Sequence, residues 1–136
     1  SSREVILVAA NTQGLPNALS IRRSLSELGV VHTLILAPRP SVCEAQDGAC
    51  AWSGRFAWGD QGWCRLIRLR QYFLARFFRE GANVMQLDSD VVFFFSPLAI
   101  WRSLFGGASM IAQQDGPIAN SGMVYARHIN PDADRL

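Results

Sequence analysis

Between Asn83 and Pro97 the chain reads Asn-Val-Met-Gln-Leu-Asp-Ser-Asp-Val-Val-Phe-Phe-Phe-Ser-Pro, two aspartates set between apolar runs. A segment apolar on both faces belongs in the middle of a sheet covered by helices, where an unpaired charge costs several kcal/mol or more. Asp88 and Asp90 must therefore meet a cation. At the carboxyl end of a central strand they would stand where open α/β sheets place their ligand crevice. Alternation along a continued strand puts both on one side, roughly 7 Å apart at Cα, a spacing that lets two carboxylates approach one hard ion such as Mg or Mn. Asp-x-Asp alone is a weak motif, because solvated loops and caps contain many. Its position gives it weight here.

The flanking pattern is that of an α/β chain. Val5–Ala10 is a short apolar strand, stopped by the turn residues Asn11-Thr-Gln-Gly14. Pro16 suits the first turn of a helix in which Ala18, Ile21, Leu25 and Leu28 share one face and Gly29 ends the run. Val30–Ala37 reads as a second strand. Strand, helix, strand in this space predicts a βαβ unit with a parallel sheet. From Pro38 to Gly62 the pattern dissolves into a long loop carrying Trp52, Phe56 and Trp58, with Trp63 just beyond, and loops of this length are usually functional or mobile.

The clearest helix runs from Trp63 to Glu80. Arg65, Arg68, Tyr72, Arg76 and Arg79 share its wet face, and Leu66, Ile67, Leu69, Phe73, Leu74, Phe77 and Phe78 share the other. Arg70 falls in the apolar arc, where a guanidinium is rarely left alone. Two readings stand: an ion pair with a carboxylate of a neighbouring strand, or a place in an active site. After the aspartates a helix is expected over Leu98–Phe105, a strand over Ser109–Gln114 ending at Asp115-Gly-Pro117, and a last strand over Met123–Ala126 entered through an Asn120-Ser-Gly122 turn. His128 to Leu136 is polar and reads as a frayed end.

Composition narrows the classes. The 136 residues, 49% hydrophobic and 18% charged, make one domain with a real core. A net charge of +2, with thirteen arginines and no lysine, supplies no stripe for nucleic acid. No apolar run is long enough to span a bilayer, and no signal peptide precedes the first strand. The chain begins Ser-Ser and reads as cut from something longer. Cys43 and Cys50 could bridge in an oxidising compartment, whereas Cys64 opens the long helix; free buried thiols are the competing reading for at least one of the three.

The block Gly81-Ala-Asn-Val-Met-Gln-Leu-Asp-Ser-Asp-Val-Val-Phe-Phe-Phe-Ser-Pro-Leu98 resembles the centre of the nucleotide-diphospho-sugar transferase domain, the family 77 glycosyltransferases of plants and algae. The helix with Arg70, Asp115 and Asn120-Ser-Gly122 resemble that family in the same order, and the similarity runs from Val5 to about Arg127. The resemblance implies a Rossmann-like GT-A fold, a mostly parallel sheet flanked by helices. Residues 1–136 would then be a single partial domain, C-terminally truncated.

The implied activity is transfer of a sugar from a nucleotide-diphosphate sugar, most readily a UDP-sugar, to a glycan or glycoprotein acceptor, with retention of configuration. Asp88 and Asp90 would hold Mn2+ or Mg2+ against the donor diphosphate, flanked by Ser89. Asn11 and Thr12 would cradle base and ribose, and Arg70 would aim at the phosphates. Asp115, as catalytic residue, and Asn120, Ser121 and Gly122 would shape the sugar pocket. The implied place is the Golgi lumen, on a missing N-terminal anchor of a single-pass type II protein. Two other readings remain open. A haloacid-dehalogenase-like phosphotransferase also ends a strand in Asp-x-Asp and would use Asp88 as nucleophile, but that family carries the motif on its first strand and needs a lysine. A fragment could also bind nucleotide sugar without turnover.

Overall fold

A computed structural model describes residues 3–45, 49–104 and 107–128. Its strands are β1 (Arg3–Ala9), β2 (Thr33–Ala37), β3 (Cys50–Trp52), β4 (Ala82–Leu87), β5 (Met110–Asp115) and β6 (Ile118–Ala126). Its helices are α1 (Leu15–Glu27), α2 (Pro40–Glu44), α3 (Gln61–Arg79) and α4 (Pro97–Leu104). The strands form one sheet in the order β3-β2-β1-β4-β6-β5. Pairings among β3, β2, β1 and β4 are parallel, and β6 runs antiparallel to both β4 and β5. The expected α/β, mostly parallel architecture is therefore present.

Alternation along β1 explains the layers. Ile6, Val8 and Ala10 join Ala18, Ile21 and Leu25 of α1 and Leu98 of α4 in one core. Leu7 and Ala9 join Leu66 on the opposite side, under Phe73, Phe77 and Phe78 of α3. The chain moves one way from β1 to β2 and the other way from β3 to β4, so a constant right-handed crossover puts α1 and α3 on opposite faces. Strand order reverses between β1 and β4, whose ends, Ala9 and Leu87, open the same edge of the sheet.

Several sequence expectations need correction. The stretch from Pro38 to Gly62 is not one loop, because it contains α2 and β3. Pro40 sits in the first turn of α2, Cys43 is disulfide-bonded to Cys50, and β3 takes its register from Ile35–Ala37. The strand before the aspartates stops at Leu87, so Asp88 and Asp90 do not lie within a buried strand. Ser89-Asp90 is a turn, and Val91–Phe95 continues without strand pairing. Phe93 packs on the core while Val92, Phe94 and Phe95 are exposed. Asn120-Ser-Gly122 is not the hairpin turn either; the chain reverses at Gly116-Pro117, and β6 already includes residues 120–122. Cys64 is exposed rather than buried. Phe105 and the tail from residue 129 lie outside the described residues.

Candidate active site at the strand reversal

The site is built where β1 and β4 end side by side. After β1, the Asn11 side chain accepts a hydrogen bond from Gly14 N at 2.7 Å, folding the chain into α1. That turn rests against the aspartate loop: a Cβ on Gly14 would meet Ser89 Oγ, so a larger residue there would have to turn the hydroxyl away. Thr12 is exposed on the same turn.

Asp88 continues the alternation of Val84 and Gln86 and so faces α3. There Arg70, 1% exposed, brings Nη1 to 3.0 Å from Asp88 Oδ1, whereas the aspartate side chain is 40% exposed. The contact is off the N–H direction and acts as an ion pair. Arg70 Nη2 donates to Ser121 O at 3.0 Å, and Gln86 Nε2 donates to the same oxygen at 3.2 Å. Arg70 Nε has no partner among the described residues. Burial lowers the Arg70 guanidinium from its ordinary value and Asp88 pulls it back up, with the side chain charged throughout. Of the two readings of Arg70, the geometry carries the ion pair: the guanidinium stands behind Asp88, screened from the cleft.

A β-bulge makes this pairing possible. Opposite the step from Ala112 to Gln113, β6 advances from Val124 to Asn120, so residues 121–123 drop out of the β5 ladder. The Ser121 carbonyl is thereby released toward Arg70 and Gln86, while Gly122 O accepts from Asp88 N at 2.7 Å. Asn120 Oδ1 accepts from Gly122 N at 2.6 Å. A Cβ on Gly122 would stand 2.7 Å from Asp88 Oδ2, so the glycine serves the aspartate directly. Asn120, Ser121, Gly122, Arg70 and Asp88 thus form one cluster. Asp115 is outside it, exposed at the turn end of the hairpin and paired with Ile118.

Two clefts flank the Asp88-Ser89-Asp90 turn. The first, about 270 Å³, is lined by Ala9, Asn11, Phe56, Trp58, Trp63, Leu66 and all three turn residues. Its aromatic wall was legible only as a tryptophan-rich loop, with no single residue marked out; Phe56 and Trp58 each lie within 6.5 Å of Trp63, centroid to centroid. The second, on the α1 side, shares Ser89 and Asp90. Asp90 is exposed at the ridge between them.

The carboxylate pair fits a divalent ion in a limited way. Among the described residues no cluster of three or more His, Cys, Asp or Glu side chains could hold a metal. Asp88 already faces Arg70, which leaves Asp90 as the uncommitted ligand. Such a donor set suits a hard cation that keeps several waters and takes one or two carboxylates together with substrate phosphates.

The model of the nucleotide-diphospho-sugar transferase family matches residues 30–131. The chain belongs to that family. Its domain is that of a glycosyltransferase, taking a sugar from a nucleotide-diphosphate donor to an acceptor. The match covers the second strand through the hairpin and includes Arg70, the aspartate turn and the β6 cluster. No curated protein and no solved structure matches the chain. For this nucleotide-diphospho-sugar transferase, the ligand crevice expected at a strand reversal and the aspartate turn coincide. Nucleophilic attack on phosphorus by Asp88 loses its footing, since the motif ends the fourth strand and Asp88 is engaged by Arg70.

Proposed function

We propose that this domain transfers a sugar from a UDP-sugar with a divalent metal bound at Asp90, with retention of configuration, as in the family 77 enzymes. The observation that carries the reading is the aspartate turn at the β1/β4 reversal, with Asn11 and an aromatic cleft beside it. A planar base has Trp58 and Trp63 to stack on. The Asn11 amide, its oxygen occupied by Gly14, keeps its nitrogen for a ligand, with Thr12 at the rim. Asp88 and Ser89 frame the diphosphate, and Arg70 acts through Asp88 by holding its carboxylate in place. A bound Mn2+ or Mg2+ would supply charge neutralisation for the departing nucleotide diphosphate. On the other flank the hairpin sets Asn120, Ser121 and Gly122 beside Asp88.

The Cys43–Cys50 disulfide supports an oxidising compartment and hence a Golgi lumen, with a membrane anchor outside this sequence. No helix among the described residues is long and apolar enough to cross a membrane.

The test is calorimetry with UDP, GDP and a panel of UDP-sugars, with and without manganese, on the native chain and on Asp90→Ala. We expect manganese-dependent UDP binding that weakens by roughly tenfold or more, about 1.4 kcal/mol, in the variant. Binding that ignores both manganese and the substitution would overturn the site.

A further inference from the structure

Charge is unevenly divided in this chain. α3 holds five of the thirteen arginines and no acid, so in a chain of net +2 everything outside that helix together carries −3. Arg70 turns inward to Asp88, whereas Arg65, Arg68, Arg76 and Arg79 are exposed on the side away from the sheet. They follow at helical spacings with Tyr72, 54% exposed, in their midst, and span roughly 21 Å at the helical rise. Arg65 lies over the ring of Trp52, itself half exposed, at 5.2 Å. None of the four is ion-paired among the described residues. Asp60, before the helix, is spent on the N–H groups of Ala57 and Trp63, and Glu80, after it, pairs with none of them. Like charges three apart, Arg65 with Arg68 and Arg76 with Arg79, repel with no carboxylate beside them.

The stripe ends at a cleft. Near the amino ends of β1 and β2 about 710 Å³ opens between Val5, Val31, Leu34, Phe73 and Phe77, and Arg76 also lines it, with His32 and Glu80. That volume is within the roughly 300–1,000 Å³ of ligand pockets. The cleft stands at the opposite end of the sheet from the aspartate turn, and nothing in the donor reading uses it.

The pairing of stripe and cleft selects one kind of polyanion. An anionic membrane or an acidic polysaccharide would use the arginines and leave the apolar cleft unfilled. A polypeptide uses both: guanidiniums grip its carboxylates bidentately, and a large apolar side chain enters the cleft next to Arg76. Arginine with Tyr72 and Trp52 is also the composition of protein–protein contacts.

We infer that the outer face of α3 and the cleft at its end dock an acidic polypeptide segment of a partner protein. Its carboxylates lie along Arg65, Arg68, Arg76 and Arg79, and its apolar side chain sits between Val5, Phe73 and Phe77.

The experiment is fluorescence anisotropy of labelled synthetic peptides on the native chain: glutamates flanking one phenylalanine, the same peptide with glycine for phenylalanine, and its lysine counterpart. We expect the first to bind, with an affinity that falls as salt rises. Glycine in place of phenylalanine should weaken binding by roughly tenfold, and the lysine peptide should not bind. Arg68→Glu combined with Arg79→Glu should weaken the phenylalanine peptide by roughly tenfold or more. Both positions are exposed and glutamate suits a helix; far-ultraviolet circular dichroism reports whether the variant folds, and the peptide comparison on the native chain decides even if it does not. A native chain that ignores the acidic peptides, a glycine or lysine peptide that binds as well as the phenylalanine one, or binding that survives in the folded double variant would each overturn the inference. Tighter binding to polygalacturonate or to phosphatidylserine vesicles than to the peptide would also overturn it, giving the stripe to a polysaccharide or a membrane.

Discussion

Each end of the sheet carries an arginine–carboxylate pair, and the two are built in opposite senses. At the carboxyl end the arginine is hidden and the aspartate presented: Arg70 is 1% exposed and Asp88 40%. At the amino end Glu4 is 7% exposed and Arg102 of α4 is 53% exposed. Glu4 accepts from Arg102 Nε at 2.8 Å, pairs also with its Nη2, and accepts from Tyr125 OH at 3.2 Å. There the carboxylate is consumed internally, and the network closes the sheet under Trp101, whose ring meets Tyr125 edge-on. At the reversal point the buried partner is the cation, so an anionic group remains at the surface. The direction of burial in an ion pair thus separates a structural end from a ligand-facing one.

The contrast predicts unequal costs. Asp88→Ala removes the exposed partner and strands a buried guanidinium, so its loss should be the larger, about 3–5 kcal/mol. Glu4→Ala leaves Arg102 free to reach water and orphans chiefly the Tyr125 hydroxyl, for about 1–3 kcal/mol. Urea midpoints at neutral pH measure both, and equal losses would break the comparison.

A smaller effect sharpens the amino-end half. Burial, then Glu4, push the Tyr125 hydroxyl from 10.0 up to about 12. Its folded value is raised, so the neutral form contributes stability below the ordinary value, and that contribution is lost as pH rises through about 12. Ultraviolet absorbance should show one of the two tyrosines ionising late, and Tyr125→Phe should remove that step. The smallest effect lies on the carboxyl-end side. Asp60 caps α3, accepting from Trp63 N at 2.7 Å and Ala57 N at 2.9 Å, and these bonds hold it below 3.8. Asp60→Ala should lower Tm slightly at neutral pH. With a depressed folded value the contribution exists above 3.8 and fades as pH falls through the folded value, so the mutant and native chains should converge in acid.

How legible this was depended on the range of the interactions involved. The α1 face and the two-sided apolar runs of β1 and β4 follow from periodicity, which is local. Arg70 stood out because a guanidinium in an apolar arc needs a partner, yet its partner lies eighteen positions away and only the fold identifies it. β3 has three residues and no period of its own; it exists because Ile35–Ala37 and the Cys43–Cys50 bond hold it. The aspartates misled for a related reason. Apolar residues on both sides suggested an unbroken strand, whereas Gly122 and the turn at Ser89 end the pairing at Leu87.

The bulge in β6 divides the hairpin into two mechanical parts. Its inner part is laddered to β4 as well as β5, while its outer part, from Gln113 to Asn120, is laddered only to itself. Length changes near Gly116-Pro117 can be absorbed without touching the sheet. One residue added between Ser121 and Met123 would instead reverse which side each following side chain faces. Descendants of this chain are thus free to lengthen the tip and are held to strict spacing three residues before Val124.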